Sequence, residues 1–361
     1  MSQKKKKTAP ASSHRTGAEV KVPVPPTEEQ KKKGKNIKLN ATLVFICSLV
    51  AMFVIFGGRW VWAIMEEYYG AFVERYSYSA SEAVEYMEGL TLSEEEQQAL
   101  LPLQQRWDLF AASRLRDEVT MTSYDGAEMH GYLYNEGSST TVVVLQRFDG
   151  DGKDDFLAGP WLYEQTGCNI LLIDQRNHGK SGGEKFSFGY YEQHDLVCWL
   201  EWCESTLGEQ TFILWGEGTG ANTILFAEAN NLLPDSVAFA VAESSYASLH
   251  EMAKHQIMEW YTVPAFPFLT AIEFKVNRES GFKVSDTELA AAMTGKRCAL
   301  PVLFLESATD SYIYPEWSVE VYNLYSGEKE RVSGGLNHGT VYPYRQEVVH
   351  ATLTDWLDSY M

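Results

Sequence analysis

The chain has 361 residues, 45% hydrophobic and 13% aromatic, which is too apolar for a disordered protein and long enough for one large α/β domain with additions. Its 30 Lys and Arg against 49 Asp and Glu give a net charge of −19, which argues against a nucleic-acid binder, because a phosphate backbone needs a basic surface. Five Cys at long spacings exclude a disulfide framework; no CxxC pair or His-rich tract points to a metal, and nothing calls for a cofactor.

The charge is unevenly spread. Residues 1–38 carry 11 of the Lys and Arg but three of the Asp and Glu, a basic tail joined to a strongly acidic body. At the junction, Leu39 to Gly58 is 20 residues without a charge. As a helix it would be about 30 Å long, the hydrocarbon thickness of a bilayer. It shows almost no polar face, unlike a core helix. A 38-residue basic lead and the want of a small-residue cleavage site speak against a signal peptide. The reading is a single transmembrane helix over 39–65, in contact with membrane lipid. The basic tail stays cytoplasmic by the positive-inside rule, and the domain after about residue 65 lies outside the cell membrane. Trp60, Trp62, Tyr68 and Tyr69 suit an interfacial aromatic belt. Cys47 falls in the span; the other four cysteines read as buried free thiols, with Cys198 and Cys203 poorly spaced for a bond.

Residues 66–117 are helical and acidic, a stalk or edge without visible chemistry. Ser93 followed by Glu96 fits a capping box. From Glu118, Val119–Ser123 and Glu128–Tyr134 flank Asp125-Gly126 as a hairpin. Then come short, continuous apolar runs: Thr141–Leu145, Asn169–Asp174, Thr211–Trp215, Val237–Val241 and Pro301–Leu305. Such strands fit a parallel sheet buried on both faces. Helical stretches between them, such as Tyr190–Leu207 and Ala221–Asn230, give an α/β doubly wound domain over 118–361. Ligands in such folds sit beyond the carboxyl ends of the strands, so the residues after each strand matter most.

Three strand ends carry the pattern. Gly216-Glu217-Gly218-Thr219-Gly220 lies between strand and helix in the shape of a nucleophile elbow, with Gly218 where the nucleophile would stand. Asp310 follows the Pro301–Leu305 strand, with an apolar residue three positions on. His338 lies in Gly334-Gly335-Leu336-Asn337-His338-Gly339 near the C-terminus. The order nucleophile, acid, histidine is that of an α/β-hydrolase triad. Asp174 to Gly183 reads D-x-R-x-H-G-x-S-x-G.

From Glu118 to Met361 the sequence resembles the α/β-hydrolase superfamily, in particular bacterial alpha/beta hydrolases related to the serine aminopeptidase-like group, often membrane-anchored. The resemblance implies a mostly parallel eight-stranded sheet with a helical lid after the sixth strand, for which the aromatic insert 246–297 is suited. It implies a structural role for the Asp174–Gly183 run, so that Ser181 is a turn residue. It makes Asp310 and His338 the acid and base of a former triad, and the backbone N–H groups near Phe148 and of Thr219 the oxyanion donors. Two departures stand out. Gly218 has no hydroxyl, and Arg147 stands where glycine usually frees the oxyanion loop.

A covalent step at position 218 is thus impossible. The primary reading is a catalytically impaired, membrane-anchored relative of serine hydrolases that binds a small molecule, peptide or protein through the old pocket. The alternative is an active hydrolase of an ester, thioester or peptide bond, using Asp310 and His338 with a water, or with Thr219, Glu217, Ser244 or Ser245. A purely structural surface domain is a third. Glu243, ending the sixth strand, reads as structural.

Overall fold

The computed structural model describes residues 41–74, 93–148, 150, 156–335 and 337–361. The basic tail therefore lies outside the described residues. The chain divides into two units at Phe56/Gly57. Helix α1 runs over Ala41–Tyr69, and a π-helical turn, Gly70–Glu74, follows it. The first unit is represented by the apolar start of α1. Its side chains from Leu43 to Ile55 are exposed, and the segment Leu43–Glu74 holds an 18-residue window of mean hydropathy 2.1. That helix is long and apolar enough to cross a membrane.

The second unit is built on an eight-stranded sheet. Its strands are β1 (Asp117–Thr122), β2 (Glu128–Tyr134), β3 (Thr140–Leu145), β4 (Asn169–Ile173), β5 (Thr211–Glu217), β6 (Val237–Glu243), β7 (Val302–Ser307) and β8 (Lys329–Gly334). Their order is β1-β2-β4-β3-β5-β6-β7-β8; β2 runs antiparallel to both its neighbours, β1 and β4, and the other pairs are parallel. β3, β4 and β7 are buried along their whole length, as unbroken Val, Ile and Leu runs require once helices cover both faces. The edge strand β8 buries only Val332, which is why its Lys-Glu-Arg-Val-Ser-Gly sequence shows no apolar run.

The helices after α1 are α2 (Glu94–Ala112), α3 (Gly159–Thr166), α4 (Glu192–Leu207), α5 (Thr219–Ala229), α6 (Leu249–Trp260), α7 (Ala265–Glu279), α8 (Leu289–Met293), α9 (Pro315–Leu324) and α10 (Val341–Tyr360). One face of the sheet packs on α4, α5, α8 and α9 around Trp199, Phe226 and Phe304. The other packs on α2, α3 and α10 around Trp107, Trp215 and Trp356. Helix α2 starts at the expected capping box: Ser93 Oγ accepts the Glu96 N–H at 3.3 Å, and the Ser93 N–H donates to Glu96 Oε2 at 2.8 Å. All cysteines are free.

A third apolar cluster lies at the carboxyl ends of the parallel strands. The insert between β6 and β7 forms the lid helices α6 and α7, which pack on Phe148, Phe186 and Phe188. The end of α1 joins them. Ile64, Tyr68 and Phe72 recur every four residues, as do Tyr69 and Val73, so all five share one helical face and are buried. Tyr68 and Tyr69 were expected in an interfacial belt. They are instead 4% and 1% exposed, because this stripe is claimed by the lid, while Trp60 and Trp62 remain exposed. Polar contacts fix the docking. Tyr68 Oη donates to Gln256 Oε1 at 2.7 Å, Lys275 Nζ reaches Glu66 at 2.9 Å, and the Phe186 N–H donates to the Val73 carbonyl at 2.8 Å.

Candidate active site

The elbow is set by close approach. A Cβ on Gly216 would lie 2.5 Å from the Ala221 nitrogen, and one on Gly220 would lie 2.1 Å from the Leu145 carbonyl oxygen. Both positions admit only glycine, because β5 must turn into α5 directly against the end of β3. Gly218 differs. It has φ 55° and ψ −112°, a left-handed backbone, yet a Cβ there would meet only Arg147 Cβ at 3.7 Å and His338 Nε2 at 3.8 Å. Those are ordinary van der Waals distances. Gly218 is thus required by neither neighbour nor chain crowding, and it occupies the one elbow position with room for a side chain.

His338 Nδ1 lies 2.8 Å from Asp310 Oδ2. Asp310 is held in turn: its Oδ1 accepts the N–H groups of Tyr312 and Ile313, each at 2.8 Å, and Ser244 Oγ donates to Oδ2 at 3.4 Å. Both members of the pair are buried. Burial alone would lower the His338 pKa. The adjacent Asp310 charge and hydrogen bond, with help from Glu217, outweigh it and push the imidazole up to about 9, against a smaller opposing push from Arg147.

Two glutamates lie beneath. Glu217 and Glu243 are neighbours across β5 and β6. Glu243 accepts the Val341 N–H at 3.2 Å, tying the start of α10, and so the His338 loop, to the sheet. Burial and the Glu217 charge push its carboxyl up to about 8. Arg147 Nη1 stands 3.5 Å from Glu217 Oε2.

Gly218, Thr219, Phe148, Arg147 and His338 line one cavity of about 10 Å³, room for a single water, with Phe188, Tyr246, Met252, Tyr312 and Ile313 as its apolar wall. Phe72, in the π-helical turn after α1, stacks on Phe148 at 5.3 Å between ring centres and on Trp260 at 6.0 Å. The segment that follows α1 therefore closes this site together with the lid.

The arrangement of sheet, lid and elbow has a known counterpart. The chain matches the esterase Pf2001 of Pyrococcus furiosus with a TM-score of 0.56 at 18% identity, over 71% of this chain and 96% of that one. It matches mouse alpha/beta hydrolase domain-containing protein 10 with a TM-score of 0.51 at 14% identity, over 68% of this chain and all of the other. The chain has the α/β-hydrolase fold. A putative hydrolase from Agrobacterium vitis S4 matches with a TM-score of 0.51 at 16% identity, over 67% of this chain and 99% of that one. At these identities the likeness is one of fold. No protein-family model matches. In sequence, the uncharacterized protein YqkD of Bacillus subtilis is 27% identical over 201 residues, 55% of this chain; the match spans 65% of YqkD's own length.

Against this hydrolase fold the remaining candidates can be placed. Ser244, at φ 51°, turns its hydroxyl to Asp310 rather than to the cavity. Ser245 Oγ is buried, and Ser245 does not line the cavity. Ser181 Oγ accepts the His130 N–H at 2.8 Å and donates to the Asp174 carbonyl at 2.6 Å, a turn contact. In the same run, buried Arg176 pairs with Asp195 at 2.7 Å, and His178 Nε2 contacts the Phe148 carbonyl at 2.8 Å, steadying the loop after β3. Thr219 heads α5, where its N–H has no carbonyl one helical turn earlier to bond. Sequence reasoning missed Tyr68 and Phe72 as neighbours of the site. Their four-residue spacing with Ile64 was the available signal.

Proposed function

We propose that this protein is a membrane-anchored α/β-hydrolase-fold pseudoenzyme, which binds a ligand in the former active site and does not turn over substrate through an acyl-enzyme. The observation that carries the reading is Gly218. The elbow keeps its backbone and has room for a side chain, and His338, Asp310 and the Thr219 N–H stand around it, but the nucleophilic atom is missing.

The anchor in this proposal is α1, with the basic tail cytoplasmic and the hydrolase-fold unit outside. The test compares the full chain in lipid nanodiscs with Gly218→Ser. Hydrolysis of short p-nitrophenyl esters is expected to stay at background for the natural chain and to rise at least about 100-fold in the variant, since a triad nucleophile contributes several powers of ten. Turnover by the natural chain above background that is lost in His338→Ala would overturn the proposal.

A further inference from the structure

We infer that the cavity at Gly218 binds a monocarboxylate with an apolar tail, one carboxylate oxygen taking the place of a serine hydroxyl against His338 Nε2 and the other accepting the Thr219 N–H. This rests on the proposed function and names the ligand class of the same site.

The argument begins with what a hydrolase elbow is shaped to hold. In an acyl-enzyme cycle it accommodates two oxygens on one carbon, the serine oxygen and the oxyanion, beside a protonated histidine. A carboxylate has the same two oxygens on one planar carbon. With a serine present, its hydroxyl would fill one of those places. Gly218 leaves that place open to a ligand oxygen, with His338 Nε2 3.8 Å from where the Cβ would be. Donors converge there from two elements: the imidazole on the loop after β8, and the first N–H of the 11-residue helix α5 with its favourable dipole. Arg147, on the rim, adds positive charge that it shares with Glu217, 3.5 Å from its Nη1. Among the described residues, two buried hydroxyls of cavity-lining residues, Thr219 Oγ1 and Tyr246 Oη, have no hydrogen-bond partner. Such orphans are costly unless a ligand or water meets them.

The rest of the surroundings suits a hydrocarbon and little else. Beyond Phe188, which both share, lies a second cavity of about 20 Å³ walled by Phe72, Val73, Leu269, Ile272 and Val276. The two small cavities share Phe188 as a common wall, the first polar at Gly218 and the second apolar. A chain of eight to ten carbons needs more room than they offer, so occupancy requires the Phe72 turn after α1 to swing from the lid. The polar side chains of this wall, Tyr68, His250 and Glu273, are engaged with Gln256 or with each other, so a polar tail would find a partner only by breaking those contacts.

The experiment titrates the full chain in phosphatidylcholine nanodiscs with sodium decanoate, 1-decanol and sodium acetate, subtracting empty nanodiscs. Saturable decanoate binding, at least about 10-fold tighter than decanol or acetate, is expected. Gly218→Ser should weaken decanoate at least about 10-fold by filling the oxygen place, and His338→Ala should do the same. Arg147→Gln, a partly exposed change that spares the core, should weaken it about 3-fold and leave decanol unchanged. Equal binding of decanoate and decanol, or decanoate affinity untouched by Gly218→Ser, overturns the inference. If decanoate does not bind while Gly218→Ser gains ester turnover, the ligand class fails and the pseudoenzyme reading stands; if the natural chain itself turns over ester, the failure lies in that reading.

Discussion

Placing a serine at Gly218 should cost stability while adding chemistry. The residue sits at φ 55° and ψ −112°, a region that costs a non-glycine residue about 1–3 kcal/mol. Space adds nothing to that figure, because the new Cβ would meet Arg147 and His338 at 3.7 and 3.8 Å. Loss of glycine's freedom in the unfolded chain returns about 0.4–1 kcal/mol. The net is destabilisation by roughly 1–2 kcal/mol, a fall of about 2–6 °C in Tm for a domain of this size. Thermal unfolding followed by intrinsic tryptophan fluorescence, natural chain beside Gly218→Ser, measures it. An unchanged or higher Tm would refute the argument that glycine relieves strain at this position. It would not touch the argument about the missing hydroxyl.

Four other outcomes follow from the geometry. Imidazole NMR should give His338 a midpoint near 9, and Asp310→Asn, which removes the charge that raises it, should bring that midpoint down; no movement would contradict the assignment of cause. Since the folded pKa of His338 lies above its unfolded value, its contribution to stability is complete below about 6.5 and is lost as pH rises towards about 9. Glu243 is raised to about 8, so the folded state holds a proton that the unfolded state has released, and stability falls with pH between about 4.5 and 8; Glu243→Gln should gain on the natural chain across that window, as read by Tm against pH, and the gain should stop growing above it. Phe72→Ala removes a buried ring stacked on Phe148 and Trp260, and should cost about 3 kcal/mol and raise hydrogen exchange over residues 64–73, where unchanged exchange would deny that this segment closes the site. Arg176→Met leaves Asp195 buried without its partner and should destabilise by about 3–5 kcal/mol in chemical denaturation.

Much of the sheet was legible because its central strands are buried on both faces. Thr141–Leu145, Asn169–Asp174 and Pro301–Leu305 had no choice but to be apolar throughout, so composition alone located them within a residue or two. β8 was not, since an edge strand with one buried residue leaves no such run. The elbow was legible for a steric reason: Gly216 and Gly220 are dictated by contacts under 3 Å, so the spacing survives without the nucleophile. Asp310 was found by its place after β7 and His338 by its glycine-flanked loop near the C-terminus, and the structure brings them within 2.8 Å. Tyr68 and Phe72 were harder. Aromatic residues just past an apolar helix look alike whether they face lipid headgroups or a lid, and only the tertiary partner, Gln256 for Tyr68 and Phe148 for Phe72, separates the two. The pairing of Glu217 with Glu243 was equally hidden, because it depends on the register of two strands joined by a helix.

The most direct measurement is the intact mass of the full chain after exposure to a fluorophosphonate, with Gly218→Ser treated alongside. The account predicts no adduct on the natural chain and one adduct on the variant, carried by the introduced hydroxyl. An adduct on the natural chain that disappears with His338→Ala would contradict it.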